Sequence, residues 1–248
     1  ETEKTEAGES QEAGKTEDSS AAAKDTLIIA TANEAPNMTT NLHNATAGEY
    51  LNLMTHDRLF YSSEDLTPKP SLCESYEIVS DTEWLFHLRK GVKWVDQNGN
   101  EKGEVTAQDF LTSLEWVLNF HKNDAANTSM PMEMIAGAED YYNMTNEMDA
   151  DAALALTAES PEFADTVGIK AVDDYTLQYT CLSEKPYFDT VAAYNCLYPI
   201  SQGMLDEIGV DGFKAATPEN IWYNGCYTCT EYIQQNTKLS LIHISEPT

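Results

Sequence analysis

With 248 residues, 42% of them hydrophobic and 10% aromatic, the chain can bury a sizeable core as one large or two modest domains, and its composition excludes wholesale disorder. A formal net charge of −28, with only 14 Lys and Arg, disfavours nucleic-acid binding, because phosphate backbones are held by clustered cations. No run of 18 apolar residues is present to cross a membrane as a helix, and no basic start followed by an apolar stretch marks a secretory leader.

Residues 1–24 hold no aromatic residue and no Leu, Ile, Val or Met; such a segment cannot offset the entropy of ordering and is expected to be a disordered tether. Asp25 to Thr31 is a β-branched run expected as a first strand, and the polar stretch Asn33 to Asn44, with Pro36, as a loop. Tyr50, Leu51, Met54, Arg58 and Leu59 fall near helical spacing. Tyr76 to Val79 and Trp84 to Leu88 predict a hairpin across residues 80–83. Trp84, Phe86 and Leu88 alternate with Leu85, His87 and Arg89, the period of a strand with one more apolar face, which ends near Gly91. Asn98-Gly99 supplies the positive φ of a tight reversal. Thr106, three residues before Asp109, predicts a capped helix start. In that helix Phe110, Leu114, Val117, Leu118 and His121 form one stripe, with Trp116 on the other face, packed against a neighbouring lobe.

From Asn123 to Pro161 the chain is acidic and Met-rich, with a helix expected over Asp149 to Ala158. Asp149-Ala150-Asp151 is like the start of a calcium loop, but Leu154 stands at the sixth position, where Gly is required, so calcium is rejected there. Gly168 to Val172 and Tyr175 to Leu182 predict a second hairpin across Asp173-Asp174, with Tyr175, Leu177, Tyr179 and Cys181 on one face. Helices are expected over Tyr187 to Tyr194 and Ser201 to Ile208, then a strand from Cys226. Alternating helices and strands without a repeat period give an α/β or α+β chain.

The five cysteines are an odd number without a dense framework. Cys226 and Cys229 have the spacing of a thiol redox pair, which leaves a thiol oxidoreductase as the alternative enzyme reading. A strand there turns residues three apart to opposite sides, about 10 Å apart at the usual rise, beyond the reach of a disulfide, so structural thiols are the expectation. No phosphate loop, His-Glu-x-x-His helix or Gly-x-Ser-x-Gly elbow occurs. His43, His56, His87 and His121 are scattered and read as structural, and Asp173-Asp174 as a solvated turn.

The run Trp84-Leu85-Phe86-His87-Leu88-Arg89-Lys90-Gly91-Val92-Lys93-Trp94, followed by Val105-Thr106-Ala107-Gln108-Asp109-Phe110, resembles the "FHLRKGVKWHDG…VTAEDF" signature of the family 5 extracellular solute-binding proteins, the oligopeptide and dipeptide receptors of ABC importers. Three further blocks, Leu66 to Glu77, Val167 to Leu177 and Asn224-Gly225-Cys226-Tyr227, are similar to that family's pattern in the same order. The resemblance implies an α/β, periplasmic-binding-protein type II-like two-lobed fold with an inserted α+β domain, truncated before the second lobe. Residues 25–46 and 166–238 would form a discontinuous first lobe, and residues 47–165 the inserted domain. It further implies capture of peptides without bond-making and delivery to a membrane permease. It implies neither metal nor cofactor, a monomer, and attachment to the outer face of the bacterial cell membrane by a lipid upstream of Glu1 alone. By the same alignment Asn44, Ala45 and Thr46 would offer main-chain groups to the peptide; an ordinary strand-to-helix connection is the competing reading. A thiol enzyme or an adhesion module are the other classes considered. Residues 239–248 resemble the translation of a transposase-type sequencing adapter and are expected to be non-native.

Overall fold

The computed structural model describes residues 38–42, 46–63, 67–123, 127–233 and 238–243. The expected tether and the strand over Asp25 to Thr31 lie outside them. Of the expected loop before Asn44, the described part is a 3₁₀ turn, Thr40–Leu42. Helix α1, Thr46–Thr55, follows, and then the short strands β1, Phe60–Ser62, and β2, Pro68–Pro70, which pair with each other.

The first expected hairpin forms as β3, Cys73–Ile78, and β4, Glu83–Leu88, closed by the Glu83 carbonyl, which accepts the N–H groups of Val79 and Ser80. On β4 the predicted alternation is realised. Trp84, Phe86 and Leu88 are at most 4% exposed, whereas Leu85 and His87 are partly open, and the His87 ring reaches Glu77 across the hairpin at 3.0 Å. The strand β5, Lys93–Val95, then turns through Asp96 to Asn100 into β6, Glu101–Glu104. The Asp96 carboxylate accepts the N–H groups of Asn98 and Asn100 at 2.9 Å, and Gly99 takes φ +81°, so the Asn-Gly reversal stands as read.

Helix α2, Ala107–Leu118, starts in a capping box: the Asp109 carboxylate accepts the Thr106 N–H at 2.8 Å and the Trp94 indole N–H at 3.1 Å. Burial pushes this carboxyl up to about 6. The expected single stripe is corrected, since every residue of α2 but Gln108 is buried. Trp116 is wholly covered, edge-on to Phe213 at 5.0 Å, a contact between the segments expected as inserted domain and first lobe. His121 leaves the stripe because the helix breaks at Asn119 and restarts as α3, Phe120–Asn123.

The acidic, Met-rich region folds into α4, Ser129–Met134, α5, Ala138–Glu147, α6, Ala150–Leu154, and α7, Pro161–Ala164. Asp149 caps α6, accepting the N–H groups of Asp151 and Ala152. A buried polar knot joins these helices to α2. Lys122 Nζ lies 2.7 Å from Glu115, with side chains 6% and 2% exposed. Glu115 also accepts the Asn119 amide at 3.0 Å and the Tyr141 hydroxyl at 2.8 Å.

The second hairpin is β7, Ile169–Asp173, and β8, Thr176–Thr180, with the Asp173 carboxylate accepting the Tyr175 N–H and the Thr176 hydroxyl in the turn. It joins the first in one antiparallel sheet of order β3-β4-β8-β7, with Trp84 opposite Tyr179 and Phe86 opposite Leu177. Phe188 of α8, Phe188–Val191, packs on Trp84 and Tyr179. This sheet spans the expected boundary at 165/166, with β4 and β8 as hydrogen-bonded neighbours. The junction is stitched again where the Gly168 N–H donates to the Ala136 carbonyl at 2.7 Å and the Ala136 N–H to that of Thr180 at 3.0 Å. A side chain at Gly137, φ +69°, would collide with the Thr166 carbonyl.

Helix α9, Gln202–Lys214, is kinked at Gly209, and β9, Tyr227–Ile233, pairs with β10, Lys238–His243. Part of the tail expected to be non-native is thus placed as a strand. Leu239, Leu241 and Ile242 with their polar neighbours suit an edge strand whatever their origin.

Candidate functional site

The positions aligned with peptide contact stand at the start of α1. Asn44 and Ala45 lie outside the described residues, and Thr46 is the first residue of the helix. What the structure defines is the framework on both sides of them. Upstream, Asn41 is wholly buried, and its amide donates to the Ser113 hydroxyl at 2.9 Å and the Tyr198 carbonyl at 3.1 Å. The Asn41 carbonyl accepts the Asn127 amide at 3.1 Å, and that amide also reaches the Asn195 side chain at 3.2 Å. Asn127 holds φ +55°, a left-handed conformation that Asn tolerates. Asn52 of α1 donates to the Thr40 carbonyl at 3.0 Å, tying the helix to the turn before it. Buried amides fully engaged in this way fix a backbone path.

Downstream, the end of α1 is clasped by the Asn224-Gly225-Cys226 segment. The Gly225 N–H donates to the Thr55 carbonyl at 3.0 Å, and the Asp57 N–H to the Asn224 side chain at 3.0 Å. A Cβ at Gly225 would sit 2.7 to 2.9 Å from the Thr55 and His56 backbone, so only Gly permits this approach. His56 is buried, with Nε2 2.9 Å from the Trp222 carbonyl. Burial lowers its pKa to about 4, and the imidazole is neutral, with the proton on Nε2 facing that carbonyl.

Beside the clasp lie Arg58 and Arg89, the only two arginines in the sequence. Arg58 is buried and donates to the Tyr198 hydroxyl at 2.8 Å and the Ala193 carbonyl at 3.3 Å. Tyr198 therefore links the two flanks, its carbonyl held by Asn41 and its hydroxyl by Arg58. Asp57 feels both guanidinium groups and a bond from Tyr61, yet burial outweighs them and raises its pKa to about 6. Sequence reasoning missed Asn41, Tyr198 and the arginine pair; the scarcity of arginine was the available signal.

The setting of the cysteine pair does not favour a redox centre. Cys226 is half-buried and Cys229 wholly buried, all five cysteines are free, and burial pushes both thiols up, that of Cys229 to about 11. A reactive thiol needs the opposite shift. Among the described residues no group of three or more His, Cys, Asp or Glu could hold a metal ion.

The fold is that of the OppA-type binding proteins. Residues 67–241 match the bacterial extracellular solute-binding proteins, family 5 Middle, and the chain belongs to this family. It is 32% identical over 172 residues to the oligopeptide-binding protein AmiA of Streptococcus pneumoniae serotype 4, covering 68% of this chain and 23% of AmiA. It is 29% identical over 177 residues to the periplasmic oligopeptide-binding protein OppA of Escherichia coli K12, covering 71% and 28%. Among solved structures, Listeria monocytogenes OppA bound to peptide superposes with a TM-score of 0.67 at 24% identity, over 84% of this chain and 36% of that one. The chain thus has the mixed α/β fold of OppA-type binding proteins and spans about a quarter of the length of the curated relatives it matches.

Proposed function

We propose that this chain is part of the solute-binding component of an ABC import system that captures peptides and hands them to a membrane permease without bond-making. The observation that carries the proposal is the family match over residues 67–241, supported by relatives named for oligopeptide binding. In this reading Asn44, Ala45 and Thr46 present main-chain groups to the peptide backbone, while the Asn41 knot and the Gly225 clasp keep that path from moving. Main-chain pairing suits a receptor for varied peptides, since affinity then does not depend on side-chain identity. The protein would work as a monomer with two lobes that close by hinge motion, at the outer face of a bacterial membrane, held there by a lipid anchor.

Calorimetric titration with a mixed tri- to hexapeptide library tests the proposal. The 248-residue chain is expected to bind weakly or not at all, and a protein of the relatives' full length to bind in the micromolar range or tighter. Absence of peptide binding by the full-length protein, or turnover of a peptide, would overturn it.

A further inference from the structure

The four-stranded sheet is closed on its inner strands, and β3 is one of its two terminal strands. Trp84 and Phe86 of β4 and Leu177 and Tyr179 of β8 are at most 1% exposed. On β3, registered against Phe86 and Trp84, the same face carries Tyr76 and Ile78, which are 41% and 58% exposed. The Tyr76 ring packs against Phe60 at 5.7 Å, Trp84 at 5.5 Å and Phe86 at 6.0 Å, yet stays 41% exposed. Val79, Leu182 and Tyr187 are also exposed. The Cys181 N–H donates to the Thr82 carbonyl at 2.7 Å, which sets Leu182 beside the β3-β4 turn, and Tyr187 adjoins Phe188, which packs on Trp84 at 6.0 Å. Five of the eleven large apolar side chains exposed among the described residues thus gather at one end of one strand.

Two further observations say what could cover them. First, β3 ends the sheet, and no strand among the described residues pairs with its outer edge, leaving a row of main-chain donors and acceptors. Second, the chain around the patch is acidic: Asp81 lies in the β3-β4 turn, Glu184 follows Leu182, and Asp189 accepts the Tyr76 hydroxyl at 3.3 Å. Lys185 follows Glu184 in the chain, and the His87 ring faces Glu77 on the other face of the hairpin. A second copy of this chain would bring the same carboxylates to face one another, on a molecule of net charge −28.

We propose that this edge is a docking site for an extended basic segment of a partner protein, which adds to β3 as a fifth strand. Its main chain pairs with the outer edge over Glu74 to Ile78, its alternate apolar side chains cover Tyr76 and Ile78, and its Lys or Arg side chains meet the carboxylate rim. Alternation follows from strand geometry, which sends successive side chains to opposite faces.

The test is titration of the folded 248-residue protein with a nine-residue peptide alternating Val and Lys. Three comparison peptides accompany it: a block peptide of the same composition, the alternating peptide N-methylated at every second residue, and a Val-Glu counterpart. The alternating basic peptide is expected to bind at least tenfold more tightly than all three. Ile78→Asn and Tyr76→Asn should each weaken it at least fivefold while leaving the melting temperature within a few degrees, because both side chains are already exposed. Equal binding of the block peptide would reduce the effect to charge attraction and overturn the proposal, as would full binding to Ile78→Asn or no binding to the unaltered protein. Self-association abolished by Ile78→Asn would assign the edge to a second copy and overturn it too.

Discussion

Glu115 and Asp57 are both carboxylates drawn into the fold, and they are handled in opposite ways. Glu115 meets Lys122 at 2.7 Å and accepts bonds from Asn119 and Tyr141, so a buried charge is neutralised on the spot by groups from α3, α5 and the break between α2 and α3. Asp57 is covered without such closure, and the favourable effects of Arg89, Tyr61 and Arg58 do not offset its desolvation. The first arrangement is architectural, joining three helices through one side chain. The second leaves a group able to titrate near pH 6 at the clasp that flanks the proposed peptide-contacting segment.

The sharpest way to break this contrast is Lys122→Met, which strands Glu115 in the interior. A loss of about 3–5 kcal/mol is expected, read from urea denaturation, and adding Glu115→Gln should restore part of it because the amide keeps partners in Asn119 and Tyr141. A loss below about 1 kcal/mol would mean that Glu115 escapes to solvent. Gly225→Ala comes next. Its Cβ meets the Thr55 and His56 backbone, and a cost of about 1–3 kcal/mol is expected from forced backbone shifts, with faster amide exchange at Gly225 and Asp57 as the local signature.

Asp57→Asn tests the titrating side. Its folded pKa of about 6 lies above the ordinary aspartate value of 3.8, so the folded state holds the proton more tightly than the unfolded one. The group therefore opposes folding above pH 6, and stability recovers as pH falls from about 6 towards 4. Asp57→Asn should remove that dependence and stabilise the protein at pH 7.5 by on the order of 1 kcal/mol. An unchanged pH profile would show that the carboxyl is solvated. The smallest effect concerns the thiols: at pH 7.5 an alkylating reagent should modify Cys226 slowly and Cys229 only in denaturant, and Cys226→Ser should leave stability within about 0.5 kcal/mol.

Much of the frame was legible because its signals are local. Alternation in Trp84 to Leu88, the Asn98-Gly99 turn and the Thr106 to Asp109 cap each depend on the few residues that form them, and each appears where read. Helix α5 was not legible, because it buries only Ala138, Tyr141 and Thr145 and so lacks an apolar stripe; it is held by Tyr141 reaching Glu115. Nor could a residue count reveal that the two hairpins share a sheet, since β4 and β8 meet across roughly ninety residues.

What the sequence determined by itself is the family, through four blocks of residues in order, together with the short-range elements those blocks encode. Which buried charge is paired, which glycine must stay bare and which sheet edge is left open were decided only in the tertiary structure. Those properties arise between segments far apart in the chain, where burial and contact, rather than local preference, set the free energy.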